Sequence, residues 1–308
     1  MELIKHDVNI DFIKLMKPAL LLSLTLIILS IVSVLLHGGV RLGVDFKGGY
    51  VAQVKFLGER TDATKIKEAL KSSSFGAVDV QQYGTVESNE FLINGGNTTE
   101  SAKGPSEEMK EALEKVYGTG TVDIRNSEMV GPKVGKDLRK KGTYAVIASI
   151  ICMFLYVAVR FEYKFATGAV VALVHDVIIT IGALSLMNKE FNLTIIAALL
   201  TVVGYSVNDT VIIYDRIRET LRKSRKAGLA EIISKACNET LSRTIITSLT
   251  TVLSLIGIFF WGGGVIHDFA FAMLVGIVVG TYSSIFVASQ LVIYWQEVTG
   301  KKVEVNLK

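Results

Sequence analysis

Six long apolar runs decide what this chain can fold into. Residues 19–36, 143–159, 165–187, 193–214, 244–261 and 269–294 lie near or above the roughly 20 residues a helix needs to cross about 30 Å of hydrocarbon. Inside a bilayer no water reaches the backbone, so each run must satisfy its own N–H and C=O groups and is predicted to be a transmembrane helix. Hydrophobic residues make up 50% of the 308 positions and only 3 are proline, a composition outside the soluble globular class. The lipid bilayer is the expected solvent for most of the chain.

Charge sets the expected orientation. The net charge is +4, but Lys and Arg collect between the apolar runs, as they do when basic loops stay in the cytoplasm. Residues 215–243 carry Arg216, Arg218, Arg222, Lys223, Arg225, Lys226 and Lys235, whereas 188–192 hold only Lys189. Both termini are therefore predicted to be cytoplasmic. Lys133, Lys136, Arg139, Lys140 and Lys141 pull the other way, but long translocated domains escape the charge rule. The apolar run after residues 1–17 is long and lacks an A-x-A-like site, so it is expected to be an uncleaved anchor. Basic residues used this way require no nucleic acid.

The expected organisation is a cytoplasmic N-terminus over 1–18, a first span over 19–37 and an extracytoplasmic domain over 38–142. Five further spans follow over 143–294, with a basic cytoplasmic loop at 215–243, and 295–308 form a cytoplasmic C-terminus. Within the polar domain, 44–57 is predicted as a strand with a bulge or turn at Gly48 and Gly49. Residues 61–74 are predicted as a helix capped by Thr61 or Asp62, with Ile66, Ala69 and Leu70 on one face. Two short strands, 78–86 and 91–94, flank a connection at 87–90. Pro105 opens a helix to Tyr117 with Met109, Ala112, Leu113 and Val116 inward, and 121–130 close as a strand. The order is βαββαβ, the ferredoxin-like split arrangement, so the fold class is a six-helix membrane bundle with one α+β domain. That fold fixes no chemistry by itself.

Charged groups inside spans cost about 2.5 to 3.5 kcal/mol at a helix centre on insertion scales, so each needs a partner or a purpose. Asp209, beside Asn208, is expected roughly 9 Å inside the cytoplasmic edge. A carboxyl there can load or release a proton as its surroundings change, or serve as interhelical glue satisfied by Asn208, Ser206 or a facing helix. Arg243, at the start of the fifth span, could reach Asp209 or snorkel to lipid phosphates. His175 and Asp176 fall near the middle of the third span and point about 100° apart, so one is expected to face the interior directly. A proton relay and a buried hydrogen-bonded pair both account for them.

Asp215, Arg216, Arg218 and Glu219 are expected to be a solvated helix end, and Gly262 to Asp268 a flexible connection that includes His267. Cys152 lies in an apolar run and Cys237 in the basic loop, giving neither a disulfide framework nor ligand spacing. No metal, cofactor or redox chemistry is expected. The chain has no G-x-x-x-x-G-K-[ST] loop, so ATP is not its expected energy source, and no G-x-S-x-G motif.

Four stretches in this order resemble the SecD/SecF family: Gly43-Val44-Asp45-Phe46-Lys47-Gly48-Gly49, Val130-Gly131-Pro132-Lys133-Val134-Gly135, Ala172-Leu173-Val174-His175-Asp176, and Gly204-Tyr205-Ser206-Val207-Asn208-Asp209-Thr210 running on to Glu219. The similarity covers nearly the whole chain. Its single polar domain favours the smaller of the family's two subunit types over SecD. The resemblance implies membership of the resistance-nodulation-division superfamily, a separate SecD partner and association with the SecYEG channel. It also implies that proton motive force drives domain movements that pull a translocating polypeptide outward. Asp209 matches the family's transmembrane acid and Arg243 its arginine at the fifth span, with protons as the coupled species. Asp45, Lys47, Gly48, Gly49, Gly131 and Pro132 fall in motifs expected to be structural or coupling.

Three other readings are weighed. A drug or lipid exporter of the same superfamily would need two large outer domains and a cleft. An intramembrane aspartyl protease would need Asp176 and Asp209 within hydrogen-bond reach, although their predicted depths differ. A passive scaffold would need no titrating acid. No enzymatic activity is expected.

Overall fold

The structure, a computed structural model, describes residues 9–71, 73, 75, 78–84, 86–96, 104–161, 163–223 and 227–300. The expectations for residues 1–8, Ser74, Arg225, Lys226 and 301–308 lie outside that set.

Six helices are long and apolar enough to cross a membrane, and they match the six predicted runs. They are α1 (Phe12–Leu36), α5 (Pro132–Phe161), α6 (Tyr163–Leu186), α7 (Leu193–Lys223), α8 (Leu229–Trp261) and the composite Gly264–Thr299. The last consists of α9 (Gly264–Ser283), a π-helical turn (Ser284–Ala288) and α10 (Ser289–Thr299). More than half of the apolar window is buried in α6, α7 and α9–α10, but under a quarter in α1, α5 and α8. The bundle thus has an inner trio and an outer trio. Leu21, Leu24 and Leu35 on α1, with Ile147, Ile151 and Leu155 on α5, are exposed, as hydrocarbon-facing residues are.

Small residues set how closely the helices approach. A Cβ on Gly182 of α6 would stand 2.1 Å from Ser30 Cβ of α1, and one on Gly276 of α9 2.2 Å from a Val202 methyl of α7. Lipid offers helices little hydrophobic drive to associate, so such close backbone contact is a main source of packing energy.

The helices outrun the apolar runs because polar ends continue them. Asp11 caps α1 by accepting the Lys14 N–H, and Phe12 packs on Phe286 at 5.7 Å. Residues 215–243, predicted to be a loop, are largely helical, since α7 runs to Lys223 and α8 starts at Leu229. Ile217, Ile232, Ile233, Ala236 and Cys237 supply a buried stripe at helical spacing, which basic charge had obscured. Cys237 is therefore a buried helical residue. The flexible connection expected at 262–268 is also corrected: α9 begins at Gly264, and Asp268 within it pairs with Lys189 at 2.7 Å.

Between α1 and α5 lie a helical turn, α2 (Val44–Lys47), and a four-stranded antiparallel sheet. Its elements run β1 (Gly49–Phe56), α3 (Ala63–Leu70), β2 (Asp79–Tyr83), β3 (Glu90–Gly95), α4 (Pro105–Tyr117), β4 (Val122–Val130), in sheet order β2-β3-β1-β4. Alternation along β1 sends Tyr50, Ala52, Val54 and Phe56 into one core with Ile66, Leu70, Phe91, Ile93, Met109 and Leu113. The opposite face, with Val51, Gln53, Gln81 and Asn94, lines a polar cleft of about 330 Å³ against Asn192, Thr194 and Ile266 of the bundle.

Three details bear on the expectations for this domain. Residues 44–47 are helical rather than extended, because the Gly43 carbonyl accepts the N–H groups of Phe46 and Lys47. Of the bulge or turn expected at Gly48 and Gly49 the structure has the turn, with Gly48 at φ +78° ending α2, while the β1–β4 register shift lies between Gln53 and Val54. Val116 is 61% exposed, while Tyr117 takes the inward place, packing on Phe56 at 4.8 Å and sharing a hydrogen bond with Thr61.

Candidate functional site: a buried carboxyl pair in the helix trio

His175 and Asp176 are both buried, at 3% and 1% exposure, on the inner face of α6. Although neighbours on a helix diverge by about 100°, the two side chains turn toward each other, with His175 Nδ1 2.8 Å from Asp176 Oδ1. The expectation that only one would face the interior is thereby corrected. The second oxygen, Asp176 Oδ2, accepts from Ser206 of α7 at 2.6 Å and from Ser283 of α9 at 2.9 Å. One carboxyl thus joins the three inner helices. His175 Nε2 is buried without a partner.

Asp209, on α7, is fully buried. Its Oδ2 accepts from Ser248 of α8 at a long 3.5 Å, and its Oδ1 has no partner. Ser248 in turn shares a 2.7 Å hydrogen bond with Thr281 of α9. A buried carboxyl with an empty oxygen is costly, whereas hydroxyl neighbours can donate to its ionised form or accept from its protonated form. Asp176 and Asp209 are not hydrogen-bonded to each other, so the shared-proton dyad of an aspartyl protease is not formed.

Arg243 is exposed near the start of α8, and among the described residues no ion pair joins it to Asp209. Asn208 is exposed, along one face with Ala197, Thr201 and Gly204. A Cβ on Gly204 would meet nothing within 4 Å. The residues from Asp215 to Glu219 do more than cap a solvated end, since Arg216 bridges Glu219 on its own helix and Glu239 on α8, both at 2.5 Å.

The Asp45 motif lies at the junction between sheet and bundle. Asp45 Oδ2 accepts the backbone N–H of Leu193, the first residue of α7, at 2.9 Å. The Phe191 N–H reaches the Arg41 carbonyl, the Gly43 N–H reaches the Phe191 carbonyl, and Phe46 packs on Phe191. Gly48 has φ +78°, and a Cβ there would lie 2.9 Å from Pro132 at the start of α5. Only glycine fits both demands. Gly131 accepts the Gly135 N–H, and Lys47 is exposed.

Sequence reasoning named Ser206 as a partner for Asp209, whereas it donates to Asp176, and it missed the other hydroxyls around the acids: Thr210, Ser248, Thr281, Ser283 and Ser284. Ser and Thr are unremarkable in membrane helices, and only their convergence on one level of the bundle marks them. It also missed a charged cluster beside the junction. Arg41 contacts Asp79 of β2 at 2.9 Å and Glu190 at 3.4 Å, while Asn94 of β3 donates to Glu190 and Lys67 of α3 pairs with Asp79.

Residues 108–298 match the family model described as "Protein export membrane protein SecD/SecF, C-terminal". The chain is 44% identical over 298 residues to a protein translocase subunit SecF of Calditerrivibrio nitroreducens, covering 95% of this chain and 96% of that one. It is 45% identical over 306 residues to the one of Magnetococcus marinus, covering 98% and 97%. The crystal structure of SecDF from Thermus thermophilus, described as a translocon-associated membrane protein, superposes with a TM-score of 0.82 at 35% identity over 96% of this chain. The chain spans 40% of the length of that solved chain. A second SecDF structure, in a super-membrane-facing form, gives a TM-score of 0.68.

Proposed function

We propose, since the chain belongs to the SecD/SecF family of protein-export membrane proteins, that it is an auxiliary export subunit coupling proton motive force to late-stage translocation. On this reading it lies in the cytoplasmic membrane with both termini inside, and it works with a separate SecD subunit beside the SecYEG channel on a translocating polypeptide. The sheet unit, in its βαββαβ order, is taken as a ferredoxin-like domain on the extracytoplasmic side.

The single observation that carries this reading is the Asp209 carboxyl, buried at membrane depth with one oxygen unpartnered and one long bond from Ser248. A group that only glues helices would have its lone pairs filled, because each unmade bond costs about 1 to 3 kcal/mol. A group that gains and loses a proton is left room to do so. Arg243 lies five residues before Ser248 on α8 and is the cation whose approach would favour the ionised form. His175 and Asp176 form the second titratable pair.

The mechanical half of the reading rests on the junction. Asp209 sits 16 residues, or about 24 Å, along α7 from Leu193, whose N–H is held by Asp45. A helix transmits axial displacement, so a shift of α7 reaches the segment leading through Lys47, Gly48 and Gly49 into β1. Pro132 and Gly131 brace the same point from α5. The SecD partner is supported by the exposed face of Ala197, Thr201, Gly204 and Asn208: small residues with an open amide suit a second helix better than lipid.

The test is export of a secreted reporter into membrane vesicles, with SecD present and with or without a proton gradient. Asp209→Asn is expected to assemble normally and lose the gradient-dependent share of export. If that share is undiminished, Asp209 is interhelical glue and the chain is a passive scaffold as far as this acid is concerned.

A further inference from the structure

The last span is not a continuous α-helix. Five residues, Ser284–Ala288, form a π turn, which holds one more residue than an α turn would. An α-helix advances about 100° per residue, so ejecting that extra residue would rotate α9 against α10 by about 100°.

What lies on the α9 side of the turn gives that rotation a consequence. Thr281 bonds Ser248, a donor to Asp209; Ser283 donates to Asp176; Ser284 shares a 2.8 Å hydrogen bond with Thr210, next to Asp209. Of these three residues Ser283 touches an acid directly, while Thr281 and Ser284 bond the hydroxyls of Ser248 and Thr210 beside Asp209. On the other side, the turn is held from α7. The hydroxyl of Tyr214, a fully buried side chain, donates to the Ala288 carbonyl at 3.1 Å. Ser289 donates its hydroxyl to the Ser284 carbonyl at 3.1 Å. Gly168 of α6 leaves room for this contact, because a Cβ there would stand 2.6 Å from the Tyr214 hydroxyl and 2.8 Å from the Ala288 oxygen.

We propose that Tyr214 is a positioning residue that holds the π turn in register, and that this register decides whether Ser283 reaches Asp176 and whether Thr281 and Ser284 engage Ser248 and Thr210 beside Asp209. With the turn in its π form the hydroxyls are docked, as seen here. Relaxed to an α turn, α9 would carry Ser283 off Asp176 and Thr281 and Ser284 off Ser248 and Thr210, while Ala288 stayed held by Tyr214. The turn is then the element through which the protonation state of the acids and the rotation of α9 influence each other. This inference rests on the reading of Asp209 as the coupling acid.

The experiment uses the full chain with SecD in membrane vesicles, and compares wild type with Tyr214→Phe. Two quantities are read: hydrogen exchange of the 284–289 amides, and the pH profile of gradient-dependent export. Tyr214→Phe is expected to speed exchange of those amides by about tenfold, the value of one lost hydrogen bond, and to displace the pH profile. If Tyr214→Phe fails to assemble, Gly168→Ala, which pushes on the same hydroxyl, takes its place. Deleting Phe286, which closes the turn to α, is expected to abolish the gradient-dependent share of export in a chain that still assembles. Unchanged exchange together with an unchanged pH profile overturns the proposal. Failure of the underlying reading looks different: Asp209→Asn would then keep full gradient dependence while Tyr214→Phe still speeds exchange.

Discussion

The Asp45 carboxylate accepts the Leu193 backbone N–H at 2.9 Å, joining the segment before β1 to the first turn of α7 across 148 positions of sequence. Asn192 supplies a second acceptor, for the Ile195 N–H, so two side chains satisfy donors that a helix start leaves open.

Asp45→Ala should lower stability by about 1 kcal/mol, the usual value of a capping acceptor, and Asp45→Asn should restore most of it. Thermal unfolding in detergent checks this. Equal loss in both variants would assign the effect to the negative charge at the helix N-terminus rather than to the acceptor.

Gly182→Ala should cost about 1 to 3 kcal/mol, because the new Cβ would stand 2.6 Å from the Ser30 Cα, a backbone atom that cannot swing aside. Gly204→Ala, with nothing within 4 Å, should leave the isolated chain as stable as before, yet weaken the pairing with SecD proposed for this face. Unfolding in detergent and co-purification with SecD separate the two effects. A Gly204→Ala variant that co-purifies normally would remove this face from the partner interface.

Glu190 and Asp79 share Arg41 but respond to pH in opposite senses. Burial is the largest influence on Glu190 and pushes its carboxyl above the ordinary 4.5, while the charge of Arg41 pulls the other way. Burial also pushes Asp79 up, but the Gln81 hydrogen bond and the charges of Arg41 and Lys67 outweigh it and hold the carboxyl below 3.8. From pH 4.5 up to the raised folded value, native Glu190 keeps a proton the unfolded chain has lost, so its contribution to stability falls as pH rises. Asp79 contributes stability above pH 3.8 and loses it as pH falls through its lowered folded value. Unfolding free energy measured against pH should show a weaker decline above 4.5 in Glu190→Gln than in wild type. An identical slope would mean that Glu190 titrates as an ordinary exposed glutamate.

Much of this architecture is local, and the sequence carried it. Six unbroken apolar runs each long enough to cross a bilayer forced six helices, because a closed barrel, the other way to satisfy a spanning backbone, needs strands of about 10 residues that alternate in polarity. Pro105 and Tyr117 bounded α4 as predicted, since proline starts a helix without losing a bond. Expectation failed where neighbours distant in sequence override local pattern. Residues 44–47 have strand-like alternation but form a turn, because Asp45 is drawn to Leu193 and Phe46 to Phe191. Val116 lost its inward place to Tyr117, whose ring finds Phe56 and whose hydroxyl finds Thr61.

The candidate site divides along the same line. Asp209, His175 and Asp176 were legible because a charge in an apolar run is rare and expensive wherever it falls. Their partners were not, since a serine's role depends on which helix it faces, and helix rotation is set by packing. Sequence alone therefore determined that acids stand inside the membrane helices. Only the tertiary structure decided that Asp176 joins three helices, that Asp209 keeps an oxygen free, and that Tyr214 holds a π turn beside both, because contacts between helices depend on rotation and depth rather than on order along the chain.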